Sequence, residues 1–379
     1  MNDMQKPHSA EELCFDGILS ALDHAAHAPG AIYHSDDYFQ REKHKLFLRE
    51  WLCVGRVEEI EKPGDYMTLT VVDEPVIVAR DEAGLIHAYS NMCAHRGVAV
   101  ASGAGNTKEF ACPYHGWLYD LRGQLIGAPY MKEAAGFNPA DCRLRNIKAG
   151  TWGGWIFINF DQGSAPLSEM ISDFAADYDL LQQENCRMAF KIELEWDCNW
   201  KFLVENLMDV YHVGVLHAGT FGRTIDPAKF PASLRARGGF SAFFDARPYT
   251  ADGTSRFGKM PWLDRPETFA SVGYFSPNFC MLARSDFVRP YVIWPISATR
   301  SRSVAYILFP SDRFERPDFD ELAADYDRFV RMVIEEDRPM LLTLQNITRS
   351  SMFSPGRLSS LEKPIHHMLN YNIATVLSP

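Results

Sequence analysis

Two short Cys/His pairs constrain the fold of this chain more than any other feature of the sequence. The first is Cys93-Ala-His95, the second is Cys112-Pro-Tyr-His115, and sixteen residues lie between His95 and Cys112. Each pair stands between short runs that read as strands, with a glycine close by. Because each of two loops offers one thiolate and one imidazole, we expect a β-rich fold that holds both loops against a single inorganic centre.

This set of donors admits two kinds of centre. Two Cys and two His can close a tetrahedral zinc site, although zinc fingers usually pair Cys with Cys and His with His. A Rieske [2Fe–2S] centre needs two Cys on one iron and two His on the other. A mixed pair in each loop supplies both irons, so the pattern favours the iron–sulfur cluster. A zinc-stabilised binding protein remains the alternative.

The remaining pattern predicts an α+β fold in three parts. Strand-like runs at 66–72, 75–80 and 85–89 indicate an antiparallel meander, and a buried strand is expected at 155–160. We therefore expect an antiparallel β domain at 46–160. Residues 1–45 are expected to form a helical segment that packs on the catalytic domain, which spans 161–379 and combines an antiparallel sheet with helices at 168–183 and 318–347.

A second cluster of candidate ligands lies in the segment 200–217, which reads as a helix that runs into a turn. Asp209 and His212 are three residues apart and share a helix face. His212 and His217 are five apart, about 140° around a regular helix. One metal can therefore reach both imidazoles only if the helix ends or distorts, which we expect near Gly214. Two His and one carboxylate form the facial triad that binds Fe(II) and leaves positions open for O2.

The carboxylate of the triad must come from elsewhere in the chain. Asp337 falls on the apolar stripe of the last long helix, in line with Val333, Leu341 and Leu344. An acid that points where Val and Leu point is costly unless it is paired or binds a metal. Asp337 is the expected third ligand, and the neighbouring Glu336 is the competing candidate.

At this point the sequence resembles a known family. The segments Cys93-Ala-His95-Arg-Gly and Cys112-Pro-Tyr-His115-Gly-Trp resemble the Rieske signature. The longer pattern, from about residue 29 to the end, is similar to the catalytic α subunit of Rieske non-haem iron oxygenases, the ring-hydroxylating oxygenase family. The resemblance implies a Rieske [2Fe–2S] cluster held by these four residues and a mononuclear Fe(II) in the second domain.

The resemblance also implies roles for residues of the second domain. His212, His217 and Asp337 match the mononuclear iron ligands of the family. Asp209 matches the acid that links an iron-binding His to a Rieske His across a subunit interface, which implies a ring-shaped homotrimer. Asn206 stands in the Glu-Asn position of the family. The extra glycine that some ring-dihydroxylating members carry before the bridging acid is absent, which weakens the case for dihydroxylation.

The predicted function is that of a terminal oxygenase component. Because the chain lacks a G-x-G-x-x-G fingerprint after a strand, electrons from NAD(P)H must arrive through a flavin reductase, a ferredoxin, or both. We expect mono-oxygenation of an apolar, aromatic small molecule, by hydroxylation or oxidative N- or O-dealkylation, in a pocket lined by aromatic residues of segment 240–294. The alternatives are arene cis-dihydroxylation, mono-oxygenation of a quaternary ammonium compound, and a Rieske electron carrier without enzymatic activity.

Composition excludes several other classes of partner. Lys and Arg number 38 against 49 Asp and Glu, a formal charge of −11, and no basic run interrupts the chain. Nucleic acid and anionic membrane surfaces are therefore not expected partners. No apolar stretch reaches the length of a membrane span, and the first residues lack a signal-peptide pattern. We expect a cytoplasmic protein whose eight cysteines are thiols or metal ligands.

Overall fold

The computed structural model describes residues 13–378, and these divide into two compact units. The small unit is Leu48–Met170, and the large unit contains the described residues up to Phe47 and those from Ile171 onward. The sequence placed the second division ten residues earlier, after residue 160. The structure moves it because the short helix Leu167–Met170 packs on a strand of the small unit, with Leu167 against Gly150.

The small unit is built from a seven-stranded and a three-stranded antiparallel sheet. The order in the larger sheet is β1-β10-β9-β4-β3-β2-β5, and β6, β7 and β8 form the smaller one. The strands are β1 Leu52–Arg56, β2 Asp65–Val71, β3 Glu74–Arg80, β4 Ile86–Ser90, β5 Ala104–Asn106, β6 Glu109–Ala111, β7 Leu118–Asp120, β8 Leu125–Gly127, β9 Asn146–Trp152 and β10 Trp155–Asn159.

The predicted meander is confirmed, since β2 pairs with β3 and β3 with β4, both antiparallel. The expected strand at 155–160 is β10, in which every residue is buried. The core of the unit joins its two sheets, with Ile77 and Tyr89 from the larger and Phe110 from the smaller. Cys93 and Cys112 extend the same core, which places both Cys/His loops at one edge of the unit.

The large unit contains a second seven-stranded antiparallel sheet, in the order β11-β17-β16-β15-β14-β13-β12. Its strands are β11 Cys186–Trp196, β12 Ser233–Leu234, β13 Phe240–Asp245, β14 Phe269–Phe275, β15 Phe279–Arg284, β16 Tyr291–Ser297 and β17 Arg300–Pro310. The α-helices of the unit are Asp16–Leu19, Asp36–Glu42, Ser172–Tyr178, Trp200–Met208, Val213–Leu216, Phe319–Ile347 and Lys363–Leu377. Among the described residues, none of the helices is both long and apolar enough to cross a membrane.

The helix expected at 168–183 is interrupted, which corrects the sequence prediction. Leu167–Met170 ends in the small unit, Ser172–Tyr178 begins the continuous part of the large unit, and a 3-10 turn over Asp179–Leu181 follows. Gln182 then adopts a left-handed conformation with φ 40°. The apolar residues do form buried faces, as their spacing predicted. The chain passes from the small unit to the large unit at Ile171, and the helix is interrupted there.

The long helix Phe319–Ile347 is confirmed, and its buried face contains Val333, Asp337 and Leu341. Leu344, predicted on the same face, is instead 44% exposed. The buried position is Gln345, whose side-chain oxygen accepts a hydrogen bond from the Asn199 backbone N–H at 2.7 Å. This hydrogen bond allows the polar Gln345 side chain to be buried at the end of the apolar face of the helix.

The helix Trp200–Met208 lies between the sheet and the long helix and contacts β14 and β16. Its first turn carries a fully buried ion pair, because Lys201 Nζ lies 2.7 Å from Glu42 Oε1 and neither side chain is exposed. Trp200 Nε1 also donates to Glu42 at 3.2 Å. These bonds attach the predicted N-terminal segment, as far as it is described, to the large unit.

Replacing Lys201 by Met should lower the free energy of unfolding by about 3 to 5 kcal/mol, because Glu42 would stay buried without its partner. The matched control is Lys191→Met, which removes a half-exposed partner of Glu193 at 3.0 Å and should cost less than about 1 kcal/mol. Urea denaturation followed by tryptophan fluorescence measures both. Equal losses for the two variants would show that the buried pair does not hold the segment.

Candidate metal centres

The two Cys/His pairs lie at the tips of two neighbouring loops of the small unit. The first loop follows β4 and the second joins β6 to β7. Each is closed by a tight turn, since the Gly97 N–H donates to the Cys93 carbonyl at 2.8 Å and the Gly116 N–H to the Cys112 carbonyl at 3.0 Å. Both glycines have positive φ, 78° and 70°, which an L side chain adopts only with strain. The glycines therefore fix the loop shape that presents the ligands.

The four predicted cluster residues lie in two loops that approach each other at their histidines. Cys93 and Cys112 are 3% and 4% exposed, while both imidazoles lie at the surface. His95 Nδ1 and His115 Nδ1 face each other at 3.2 Å. Desolvation, His95 and Arg96 lower the pKa of His115, which favours the neutral imidazole that a metal binds. Two buried thiols and two exposed, facing ring nitrogens are the donors that a two-iron centre with Cys on one iron and His on the other requires.

Two aromatic residues complete this centre: Tyr119, which sequence reasoning missed, and Trp117, the last residue of the second predicted motif. The Tyr119 hydroxyl accepts the Ala94 backbone N–H at 2.9 Å and lies 3.1 Å from Cys93 Sγ, to which it can donate. Trp117 stacks on the His95 ring at 4.9 Å between centroids. A hydrogen bond to a ligating sulfur stabilises the reduced cluster and raises its potential. Neither β7 nor a role for Tyr119 was predicted from the sequence.

The second set of predicted ligands also converges. His212, His217 and Asp337 each offer one ligand atom, and these atoms lie within 4.8 Å of one another. Asp337 Oδ1 is 3.1 Å from His217 Nε2 and 3.7 Å from His212 Nε2. The same oxygen is buried and takes part in no hydrogen bond. An unpartnered carboxylate oxygen facing two imidazole nitrogens fits a divalent metal, and the donor set is that of non-haem Fe(II).

The chain brings the two imidazoles together by ending a helix earlier than the sequence predicted. The helix stops at Met208, and Asp209 is extended with φ −80° and ψ 109°. We expected the distortion near Gly214; it lies at Asp209 because this side chain accepts the Tyr211 backbone N–H at 2.6 Å and so competes with a helical hydrogen bond. A short second helix, Val213–Leu216, then places His212 before its first residue and His217 after its last.

Two carboxylates orient the imidazoles. Asp209 Oδ2 lies 2.9 Å from His212 Nδ1, and Glu336 Oε2 lies 2.6 Å from His217 Nδ1. With the proton on Nδ1, each Nε2 offers its lone pair towards Asp337. Glu336 was the competing ligand; the structure places it on the far side of His217, where it also accepts the Thr220 hydroxyl at 3.0 Å. Its orienting position was not foreseen from the sequence.

A cavity of about 90 Å³ opens beside the three ligands. Asn206 lines it at the end of the Trp200–Met208 helix, together with apolar side chains such as Phe221 and Ile225. From the aromatic segment 240–294, Phe244 and Tyr291 line the cavity, whereas residues such as Phe279 and Tyr274 belong to the core instead.

A larger surface groove of about 650 Å³ lies on the other side of Asp209. We call it the Asp209 groove. Its walls include four exposed apolar side chains, Tyr211 at 56%, Val215 at 84%, Met340 at 47% and Leu344 at 44%. Asp209 therefore stands between the predicted iron ligands and an apolar part of the surface.

Comparison with protein families identifies both halves of the chain. Residues 50–144 match the Rieske [2Fe-2S] domain, and residues 183–377 match the ring hydroxylating alpha subunit (catalytic domain). The second match alone covers just over half of the chain.

Three curated relatives illustrate the range of similar proteins. The benzene 1,2-dioxygenase subunit alpha of Pseudomonas putida is 36% identical over 51% of this chain and 44% of that protein. The carnitine monooxygenase oxygenase subunit of Acinetobacter baumannii is 31% identical over 50% of this chain and 52% of that protein. The match therefore spans about half the length of these two relatives. The chloroplastic choline monooxygenase of Arabidopsis thaliana is 26% identical over 93% of this chain and 84% of that protein.

Solved structures share the fold over nearly the whole chain. The quaternary ammonium Rieske monooxygenase CntA in complex with an inhibitor superimposes with a TM-score of 0.81 at 23% identity, covering 96% of this chain and 98% of that one. A naphthalene 1,2-dioxygenase mutant bound to phenanthrene gives a TM-score of 0.77 at 22% identity, covering 98% and 96%. At this identity the likeness establishes the fold.

Changing Asp337 and Glu336 separately tests which acid binds the second metal. Asp337→Ala should reduce the iron content from about three to about two atoms per chain, because only the cluster remains. Glu336→Ala keeps all three ligands and should weaken iron binding by roughly 10- to 100-fold, since His217 loses its orienting partner. Iron analysis at saturating and at low free Fe(II) distinguishes the two effects.

The cluster itself is the internal control, and its visible and EPR spectra should be unchanged in both variants. Loss of the third iron from Glu336→Ala at saturating Fe(II), with retention in Asp337→Ala, would assign the ligand to Glu336 instead.

Proposed function

This chain belongs to the ring-hydroxylating oxygenase α subunits with a Rieske [2Fe-2S] domain, and on that premise we propose that it is the terminal oxygenase component of a multicomponent Rieske oxygenase. The observation that carries the proposal is the convergence of His212, His217 and the unpartnered Asp337 oxygen beside a cavity with apolar walls. In this proposal Cys93, His95, Cys112 and His115 hold the [2Fe–2S] cluster and the triad holds Fe(II).

The proposed reaction is mono-oxygenation of an apolar or aromatic small molecule. A substrate C–H bond, O2, two electrons and two protons give an alcohol and water; oxidation of a methyl group on N or O gives a product that releases formaldehyde. When bound, the iron supplies the site of O2 activation and the cluster supplies one-electron storage. Asp209 and Glu336 hold the imidazoles in one tautomer. The apolar side chains of Phe221, Ile225 and Phe244 exclude water around the substrate.

Electrons are proposed to enter through Asp209 from a second copy of the chain. One Asp209 oxygen bonds to His212, and the residue also borders the Asp209 groove with its exposed apolar walls. On the small unit, His95 and His115 are exposed beside Met92 and Tyr114. Exposed apolar surface around a polar centre is typical of a protein contact. We propose a homotrimer in which the cluster histidines of one subunit dock at Asp209 of the next, with a reductase, a ferredoxin, or both as the external donor.

Arene cis-dihydroxylation is the second candidate. The match to the benzene 1,2-dioxygenase subunit, at 36% identity, favours it. Both reactions use the same centres and differ in how many oxygen atoms of one O2 reach the product.

Reconstitution with a surrogate flavin reductase and ferredoxin tests the function. We expect substrate-dependent NADH oxidation only when the reductase is present, because the chain has no dinucleotide fingerprint. With ¹⁸O2, hydroxylation places one labelled atom in the alcohol and dihydroxylation places two in the diol, as mass spectrometry measures, whereas oxidative dealkylation is recognised by the formaldehyde released. Turnover with NADH alone, or a hydroxylated product whose new oxygen atom is unlabelled, would contradict the proposal.

Asp209→Ala tests the electron route. At saturating Fe(II), with the iron content measured, both metal centres should assemble since no ligand is lost, but product formation should fall by roughly 100-fold or more because His212 loses its partner at the interface. The matched control is Asp264→Ala, which removes an exposed carboxylate of the same unit and should leave turnover unchanged.

Sedimentation equilibrium of the wild type and both variants completes this experiment. Each should have a mass three times the 43.0 kDa of the chain. A monomeric wild type that is fully active, or an Asp209→Ala variant that turns over at a normal rate, would rule out transfer between subunits.

A further inference from the structure

Two arginines that the proposed reaction does not use line the cavity beside the predicted iron ligands. Arg284 is the last residue of β15, and Arg289 lies just before β16. Their exposed fractions are only 6% and 5%. Both border the same cavity as Asp337. A guanidinium this deeply buried is normally held by a carboxylate.

Neither guanidinium has such a partner among residues 13–378. Arg284 donates through one Nη to its neighbour, the Ala283 carbonyl oxygen, at 3.1 Å. Arg284 Nε and Arg289 Nη1 are shielded from solvent and have no hydrogen-bond partner. Within the described chain no carboxylate oxygen lies within 4.0 Å of either side chain, the limit of an ion pair. Each of the two guanidiniums therefore carries a buried positive charge without an ion-pair partner, and each has an N–H group that makes no hydrogen bond.

Two acids act on the arginines electrostatically without forming an ion pair, Asp286 on Arg284 and Asp337 on Arg289, and Asp286 Oδ1 has no hydrogen-bond partner. Asp286 accepts the Ser255 hydroxyl at 2.6 Å and also the Tyr326 hydroxyl through the same carboxylate oxygen. Asp337 is the carboxylate of the proposed iron triad. Burial lowers the pKa of Arg284 to about 10, so its guanidinium stays charged at neutral pH. The cavity thus carries two positive charges with no anion of the chain assigned to them.

Aromatic rings hold the guanidiniums in place of a counter-ion. The Arg289 Cζ atom lies 4.2 Å from the centroid of the Tyr249 ring, and the Arg284 Cζ atom lies 5.3 Å from the same ring. Arg284 also lies 5.8 Å from the Phe244 ring. Stacking on a ring face orients a guanidinium but leaves its N–H edge free for an acceptor in its plane.

We infer that the substrate carries a carboxylate group, which Arg284 and Arg289 bind, and that its apolar end, an aromatic ring, lies between the opposite wall and the iron ligands. A carboxylate has acceptor sites for several N–H groups and matches the planar guanidinium edge. Phe221, Ile225 and Leu282 supply the apolar surroundings of the ring. A quaternary ammonium cation in this cavity would meet two like charges in a medium of low dielectric constant. The inference rests on the proposed function only where it places the reacting end of the substrate at the iron ligands. The carboxylate site is argued from the two arginines alone.

Binding of paired probes to the anaerobic holoenzyme tests the site without turnover. The probes are benzoate, 4-methoxybenzoate and phenylacetate, each with its neutral primary amide, and choline as the cation. Because hydrogen bonds to a charged group are the stronger kind, calorimetry should show at least one carboxylate bound roughly 10- to 100-fold more tightly than its amide. Choline should not bind.

Arg284→Gln and Arg289→Gln should each weaken carboxylate binding by roughly 10- to 100-fold and leave amide binding unchanged. The matched control, Arg300→Gln, changes a half-exposed arginine that pairs with Glu195 on the surface and should have no effect. Because each variant removes a buried charge that has no counter-ion, its thermal unfolding midpoint without ligand should be equal to or higher than that of the wild type. A large fall of the midpoint in both Gln variants would mean that the arginines are structural and would overturn the inference.

The remaining outcomes separate the inference from the proposed function. Equal binding of amide and carboxylate in every pair, or tight binding of choline, overturns the inference. Carboxylate binding that depends on both arginines, with no product when the reductase is added, leaves the inference standing and contradicts the proposed function. Formaldehyde release from 4-methoxybenzoate but not from 4-methoxybenzamide supports both.

Discussion

The structure of the large unit depends on one buried carboxylate. Asp337 lies on the inner face of the long helix, and one of its oxygens takes part in no hydrogen bond. Such a charge is tolerated only if positive charge is brought to it. His212 and His217 point their Nε2 atoms at this oxygen, and each is fixed from behind by a further carboxylate, Asp209 or Glu336. Three acids and two imidazoles form one arrangement whose net negative charge a cation at its centre would reduce.

Asp209 shows how one side chain can serve local structure and function together. Its carboxylate ends the Trp200–Met208 helix by accepting the Tyr211 backbone N–H, and this break lets His212 and His217 reach the same point. The other oxygen orients His212. The residue also borders the Asp209 groove. A substitution at Asp209 therefore acts on the ligand geometry and on the proposed electron route at once, which is why iron content has to be measured beside turnover.

The cavity adds a different kind of constraint. Buried arginines without a counter-ion reduce the stability of a folded chain, and such a cost is common where binding requires unpaired groups. Stacking on Tyr249 offsets a part of this cost and sets the orientation of both guanidiniums. Apolar and charged side chains line one cavity beside the predicted iron ligands. Size, charge and distance from the metal are thus set by different elements of the fold, so each can be changed separately.

Most of the successful predictions came from the spacing of residues that are close together in the sequence. Cys93 with His95, and Cys112 with His115, share single loops, and the 3.6-residue period placed Asp337 on the buried face of its helix; such relations are local and are therefore readable in sequence. The sequence alone determined the α+β class and the kinds of metal donor, and it predicted the residues that would carry them. Only the tertiary structure decided where the helix breaks, that Glu336 orients His217, that Tyr119 reaches Cys93, and that Arg284 and Arg289 share a cavity. These contacts join residues on different strands, helices and loops, and they depend on register and packing, which no local pattern encodes.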